Sequence, residues 1–151
     1  PPRPAAAAES DDILRELQAI MFAYDIGILK RADRLQQAHR KLDRLTERFR
    51  GLAAPHVHEL VRLKETEAML LAARFILGAS VYRTESRLSH FREDFMARDD
   101  AQWLVWVDVE PGGEIDALRF SKTPIPTPLC PVTAEAVRPN RLKRHAAVGG
   151  V

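Results

Sequence analysis

The amino-acid sequence predicts a mainly α fold: a three-helix bundle followed by a β-hairpin and an extended Pro-rich C-terminal arm. Up to about residue 90, apolar residues recur at spacings of three and four, as in helices packed on a core. After Asp100 the pattern changes to aromatic and β-branched residues, and then to closely spaced prolines. We expect a linker over 1–10, a helical bundle over 11–98, a hairpin over 99–123, and an extended Pro-rich and basic tail over 124–151.

The first helix is expected over residues 11–25. Ser10 and the two aspartates that follow it supply N-cap oxygens and negative charge for a helix start. Ile13, Leu17 and Ile20 then begin an apolar face. Gly27 weakens any continuation, because glycine costs about 1 kcal/mol against alanine inside a helix.

A second helix is expected over residues 30–50. Leu35, Leu42 and Phe49 lie on one face, and charged or amide side chains occupy most other positions, which indicates a one-faced amphipathic helix. Gly51 stands where a helix commonly ends, and Pro55 soon afterwards marks the break.

The third helix is expected over residues 56–90. It begins amphipathic and becomes apolar on almost every side from Met69 to Val81. A helix that is apolar all round is usually covered all round. Two other helices hardly enclose it, so we expect part of its surface to face the C-terminal segment or a partner.

The C-terminal third of the sequence predicts a hairpin and an irregular arm. Trp103 to Val109 and Ile115 to Phe120 are strand candidates on either side of a Pro-Gly-Gly turn. The stretch TPIPTPLCPV, with four prolines in ten residues, is expected to be extended. Basic residues over 138–145 form either a solvated tail or a contact to an anionic partner. Nucleic acid is not expected, because no aromatic side chain is interleaved to stack on bases.

Several classes of protein are disfavoured by the sequence. Arg74 and Ser80 interrupt the longest apolar run, so no membrane span is expected. The beginning of the chain lacks the apolar run of a signal peptide, and Cys130 is the sole cysteine, which favours a cytoplasmic location. No Gly-rich nucleotide-binding loop is visible, and His56 and His58 lack a third ligand, so neither a cofactor nor a metal site is expected on this chain.

The stretch RTESRLSHFREDF, residues 83–95, concentrates charge behind the apolar run. If the third helix continues through it, one stripe would contain Arg83, Arg87, His90 and Asp94, and a neighbouring stripe Glu85, Ser89 and Arg92. Asp94, Asp99 and Asp100 could fold back as counter-charges. Three interpretations are open: an acid–base site with an anion clamp, a solvated helix end, and a charged docking surface.

The polar and aromatic residues from Arg83 to Trp103 carry a resemblance to a known family. The run Arg-Thr-Glu-Ser-Arg-x-x-His-x-Arg-x-Asp, followed by Arg-Asp-Asp-x-x-Trp, resembles the C-terminal helical domain of succinate dehydrogenase and fumarate reductase flavoprotein subunits. Relatives include adenylylsulfate reductase and L-aspartate oxidase. The resemblance covers residues 11 to about 105. The family usually has Gly where Leu88 stands and Pro where Met96 stands.

The resemblance implies a role in docking. In such enzymes FAD and the catalytic residues belong to an N-terminal flavin domain, so FAD is expected in the parent protein, and no catalytic, cofactor or metal residue is transferred to this chain. The chain alone is expected to be without activity. The resemblance gives an interface role to Glu85, Arg87, His90, Arg92, Asp94 and Trp103.

The partners implied are the flavin domain or subunit of the same enzyme and an iron–sulfur subunit, with a homo-oligomer left open. Partner subunits would bring a cytoplasmic chain to the membrane. The alternative is a free-standing helical protein-interaction module without a redox role, which would bind another partner through Trp103, Trp106 and the basic tail.

Overall fold

A computed structural model of the chain describes residues 5–112 and 118–126. The helices are α1 Ala5–Met21, α2 Tyr24–Gly27, α3 Ala32–Arg50, α4 Val57–Tyr82 and α5 Asp100–Trp103. The strands are β1 Leu29–Lys30, β2 Phe91–Arg92, β3 Val105–Pro111 and β4 Leu118–Pro124. The predicted mainly α fold with a hairpin is confirmed. The Pro-rich arm beyond residue 126 and the basic tail lie outside the described residues.

The three long helices enclose one hydrophobic core. Each helix turns one apolar face inward, because its leucine and isoleucine side chains recur at helical spacing. The buried members of this core include Ile13 and Leu17 on α1, Leu35 and Leu42 on α3, and Leu70 and Leu77 on α4. The amphipathic patterns in the sequence therefore predicted which faces of α1 and α3 are buried.

The N-terminal boundary differs from the expectation. α1 begins at Ala5, inside the segment assigned to a linker, so Ser10 lies within the helix and does not cap it. Ser10 is buried, and its hydroxyl lies 3.2 Å from the Thr66 hydroxyl on α4. The serine therefore satisfies its polar group at a helix–helix contact.

The predicted third helix is too long at its C-terminal end. α4 ends at Tyr82, and Arg83 has an extended backbone with φ −79° and ψ 111°. The stripe of Arg83, Arg87, His90 and Asp94 on a continuing helix is therefore wrong. The helix stops because a guanidinium from further along the chain, that of Arg92, binds its last carbonyl groups.

A parallel strand pair joins two distant loops. β1 pairs with β2, with Leu29 opposite Phe91 and Lys30 opposite Arg92. Strands of two residues are too short to show an alternating pattern, so the sequence did not predict them. The pairing places the connection between α2 and α3 beside the charged stretch that follows α4.

The hairpin covers part of α4, as the sequence analysis expected. β3 and β4 are antiparallel, with Val105 opposite Pro124 and Pro111 opposite Leu118. The Phe120 ring stacks on Tyr82 of α4 at 5.5 Å between ring centroids. The second strand covers Leu118–Pro124 and so extends past the predicted end at Phe120, whereas residues 113–117 are outside the described part.

Candidate docking site

The charged stretch forms a compact loop between α4 and α5, and Glu85 organises its first half. The Glu85 side chain is fully buried. Its carboxylate accepts hydrogen bonds from Arg87 Nε at 2.8 Å, from Arg87 Nη2 at 3.1 Å and from the Asp99 amide at 2.9 Å. It also accepts one from Arg83. Burial opposes its charge, but these donors outweigh the burial and lower the pKa of Glu85.

Arg87 extends the network outward to Asp100 at the start of α5. It donates to Asp100, whose carboxylate also pairs with Arg98 at 2.7 Å. The hydrogen bonds from Arg98 and Arg87 lower the pKa of Asp100. The expectation that Asp100 folds back as a counter-charge is confirmed, whereas the Asp99 carboxylate caps α5 by accepting from the Gln102 amide at 3.1 Å.

Arg83 connects this loop to the hairpin. Its guanidinium donates to the Trp103 carbonyl at 3.0 Å and to the Val105 carbonyl at 2.8 Å. The same group lies 5.3 Å from the centroid of the Trp103 ring. A planar guanidinium suits such simultaneous hydrogen bonding and stacking. The end of α4 is therefore fixed to the start of β3.

Arg92 organises the second half of the loop from a buried position. Its Nη1 donates to the carbonyls of Ser80 at 2.7 Å, Val81 at 3.3 Å and Arg83 at 3.2 Å. The last carbonyls of a helix lack partners within it, and a cation at this end also interacts favourably with the helix dipole. The Arg92 side chain thus caps α4.

Asp94 completes the pair and caps a second helix. It accepts from Arg92 at 2.7 and 2.8 Å, a two-point contact, and from the Ala32 amide at 3.0 Å. Ala32 is the first residue of α3. The Arg92 hydrogen bond, with help from Ala32, lowers the pKa of Asp94 to about 2. One ion pair therefore joins the C-terminus of α4 to the N-terminus of α3.

A tight turn over residues 87–90 closes the loop. Arg87 and His90 exchange backbone hydrogen bonds of 2.8 and 2.9 Å. Leu88, at the tip, has φ 50° and is 97% exposed. This left-handed conformation favours glycine. Glycine is the residue usually found at this position in the family that the sequence resembles.

His90, the last residue of this turn, lies near Lys30. His90 Nε2 is 3.2 Å from the Arg83 carbonyl. Burial, and then the nearby cations of Lys30, Arg92 and Arg83, lower the pKa of His90 despite that hydrogen bond. Lys30 is buried, and its Nζ donates to the Gly27 carbonyl at 2.7 Å. Lys30 was not predicted, because nothing local in the sequence distinguishes it from a solvated lysine.

The structure brings the six predicted interface residues together in or beside this loop, but at different depths. Glu85, Arg92 and Trp103 are buried. Arg87 and His90 are less deeply placed, and the Asp94 side chain is 25% exposed.

Sequence reasoning missed Ser86, which also shapes the loop. Its hydroxyl donates to the Phe95 carbonyl at 2.8 Å and accepts from the Arg92 amide at 2.8 Å. A serine between two charged residues carries no sequence signal of such a role, because its partners are several residues away.

The geometry disfavours two of the three interpretations of the charged stretch. It is not a solvated helix end, because the helix has stopped and its charges are paired. An acid–base site at Glu85 would require a carboxylate that reaches a substrate, whereas this one is enclosed by arginines. Within residues 5–112 and 118–126, no group of three His, Cys, Asp or Glu side chains is placed to hold a metal ion.

The bundle, its hairpin and the internally paired loop define a helical domain in which buried ion pairs shape one end. No helix among the described residues is long and apolar enough to cross a membrane. Residues 14–140 match the family described as fumarate reductase flavoprotein C-term, and the chain belongs to this family of flavoprotein oxidoreductase domains.

Individual relatives agree with this family. The chain is 33% identical over 97 residues to the 8-methylmenaquinol:fumarate reductase flavoprotein subunit of Wolinella succinogenes, covering 61% of this chain and 16% of the relative. It is 28% identical over 101 residues to the succinate dehydrogenase flavoprotein subunit of Coxiella burnetii, covering 64% and 17%. It is 34% identical over 101 residues to L-aspartate oxidase of Rhodospirillum rubrum, covering 67% and 31%. The chain thus spans less than a third of the length of each.

Proposed function

We propose that this chain is the C-terminal helical domain of an FAD-dependent oxidoreductase of the fumarate reductase and succinate dehydrogenase type. Its role is to dock on the flavin domain or on a partner subunit, and it has no activity alone. The observation that carries the proposal is the family match over residues 14–140, together with relatives that are several times longer than this chain.

The internal pairing of the loop supports a docking role. Glu85, Arg92 and Asp94 take their hydrogen bonds from within the chain, so the loop is held in one shape before any partner arrives. A preformed surface loses less conformational entropy on binding than a mobile one. In this proposal the buried charges shape the docking surface, and less buried side chains around them make the contacts.

The proposal extends to the setting of the enzyme. FAD would bind in the flavin domain, an iron–sulfur subunit would be a further partner, and the assembly would lie in the cytoplasm or at the membrane through its other subunits. The support is the family and the flavoprotein names of its relatives.

Reconstitution tests the proposal. The flavin-binding polypeptide of the same enzyme is purified without this domain, and reduction of an electron-accepting dye by succinate is measured with and without the chain. We expect no turnover from the chain alone, and a stable complex whose activity exceeds that of the flavin polypeptide. Turnover by the chain alone, or no association at micromolar concentrations, would contradict the proposal.

A further inference from the structure

We infer that one end of the bundle, formed by residues 22–30 and the turn 87–90, binds a partner segment in which apolar side chains flank a carboxylate, with Lys30 as its receptor. We call this surface the Lys30 end. The inference rests on the proposed docking function and names the surface and the partner chemistry.

The apolar part of the Lys30 end is exposed and comes from two segments that the fold places side by side. Phe22 is 82% exposed, Tyr24 65%, Ile28 50% and Leu88 97%. The first three belong to the connection around α2, and Leu88 lies on the turn that leads into β2. Pairing of β1 with β2 joins these two segments. Large apolar side chains exposed to water commonly mark interaction sites.

Lys30 supplies charge complementarity between these two segments. The residue is 8% exposed, and Nζ donates to the Gly27 carbonyl at 2.7 Å and lies 3.5 Å from the Ser89 carbonyl. Among the described residues, no carboxylate lies within 4 Å of it, whereas Arg83, Arg87 and Arg92 each pair with one. A buried cation without a counter-charge favours an incoming carboxylate, since charge-assisted hydrogen bonds are the strong ones.

The charged groups near Lys30 also favour an incoming carboxylate. His90 lies near Lys30 and near two further cations, Arg83 and Arg92. Burial, and then the nearby cation of Arg92, lower the pKa of Lys30. The anions of the loop, Glu85 and Asp94, are already bound to arginines.

Leu88 provides an independent observation. A leucine at φ 50° is strained, and its side chain lies almost wholly in water. Among the described residues, nothing compensates the backbone strain or the exposure of the apolar side chain. Strained exposed positions often belong to binding sites. A partner with an apolar pocket would bury this side chain. Because the relatives are several times longer, the partner we favour is the flavin domain and not a second copy of this chain.

Binding of the full chain to the immobilised flavin-binding polypeptide tests the inference. Leu88→Gly, Ile28→Ser and Lys30→Met are each expected to weaken binding by about tenfold or more, as central interface residues do. Leu88→Gly is the sharpest variant, because it relieves backbone strain, so a loss of affinity does not reflect unfolding. Raising the salt concentration should weaken binding of the wild type more than that of Lys30→Met.

Val57→Ser and Val61→Ser are the matched controls, since both are exposed apolar side chains in the first turns of α4 and lie outside the Lys30 end. They should bind like the wild type. If the wild type binds and the three variants of the Lys30 end bind equally well, the inference is wrong although the proposed function stands. If the wild type does not bind, the proposed function itself fails. If the variants abolish only self-association in sedimentation, the occupant is a second copy and the inference is overturned.

Discussion

Glu85 shows how one buried carboxylate determines the shape of the loop. It bridges Arg83 and Arg87 and also accepts the amide hydrogen of Asp99, so three separate points of the chain converge on it. Removing one partner of a buried ion pair costs far more than removing one partner of an exposed pair, because the remaining charge stays in a poorly solvated place. The residue is therefore a stabilising centre of the fold.

We expect Glu85→Gln to lower the free energy of unfolding by about 3 kcal/mol, because Arg87 and Arg83 lose their buried counter-charge. The measurement is urea denaturation followed by circular dichroism. Glu93→Gln is the control: the Glu93 side chain is 35% exposed and pairs with Arg34, so about 1 kcal/mol or less is expected. Equal losses of stability in the two variants would contradict the larger stabilising contribution of Glu85.

Leu88 allows an opposite prediction, a gain in stability. Leu88→Gly should raise the free energy of unfolding by about 0.5–1 kcal/mol, because glycine adopts positive φ without strain and little packing is lost at an exposed tip. Leu88→Ala retains the strained backbone and should change stability much less. The same urea titration compares them. A Gly variant that is less stable than the Ala variant would show that the turn is not strained.

At the scale of elements, the Arg92–Asp94 pair connects two helix ends. The cation lies at the C-terminus of α4 and the carboxylate at the N-terminus of α3, the signs that the helix dipoles favour. The sequence shows both residues but not this role, because Asp94 and Ala32 are far apart in the chain. A local pattern cannot reveal which distant amide a carboxylate will cap.

The lowered pKa of Asp94 makes the stabilisation by the Arg92–Asp94 pair depend on pH. Its pKa is about 2 in the fold against 3.8 ordinarily, so the folded state binds this proton less readily than the unfolded state. The stabilisation is fully present above pH 3.8 and is lost as the pH falls toward 2. Asp94→Asn should cost about 1–2 kcal/mol at neutral pH, and the difference from the wild type should shrink across this window.

Unfolding of the wild type and of Asp94→Asn is followed at several pH values, down to the lowest pH at which the protein remains folded. Asp33→Asn serves as the control, since Asp33 makes an exposed pair with Arg31. A difference between the wild type and Asp94→Asn that is the same at about pH 3 and at about pH 7 would mean that Asp94 does not hold the helix ends through its charge.

The contact between α4 and the hairpin depends on the missing side chain of Gly78. A Cβ atom built at this position would lie 2.4 Å from Phe120 Cζ. Gly78→Ala should therefore destabilise the protein, although alanine is the better helix former by about 1 kcal/mol. The hairpin has to shift away from α4, which also disturbs the stacking of Phe120 on Tyr82.

A second background separates the clash from helix propensity. In a Phe120→Ala protein, Gly78→Ala should become neutral or stabilising, because the ring that it meets is gone and the gain in helix propensity remains. Thermal unfolding of the four proteins of this cycle gives the coupling. Equal effects of Gly78→Ala in both backgrounds would contradict the close packing.

At the scale of the whole molecule, the sequence predicted the long helices well and the loop poorly. Amphipathic spacing identified the buried faces of α1 and α3, and aromatic and β-branched residues identified the hairpin. The continuous helix through His90 was wrong because Arg92 binds the carbonyls at the end of α4. The β1–β2 pair and the position of Lys30 depend on contacts between distant residues, which single-sequence periodicity does not record.

The surface of the isolated chain supports a last prediction. α4 packs on α1 and α3 with one face and on the hairpin with another, yet Met69 and Ile76 remain 40% and 55% exposed. Seven residues apart on a helix, they share one side, and the exposed Ala72 lies between them. This apolar strip should bind a hydrophobic dye and promote self-association of the isolated chain.

Met69→Ser combined with Ile76→Ser should therefore reduce dye fluorescence and shift light scattering toward the monomer. The matched control replaces Lys64 and Glu67, a polar pair on a different side of the same helix, with serine. Serine is not a better helix former than any of these four residues, so neither double variant gains helix propensity, and only the first removes apolar surface. A monomeric wild-type chain that binds no dye would show that the strip is too small to act as an interface.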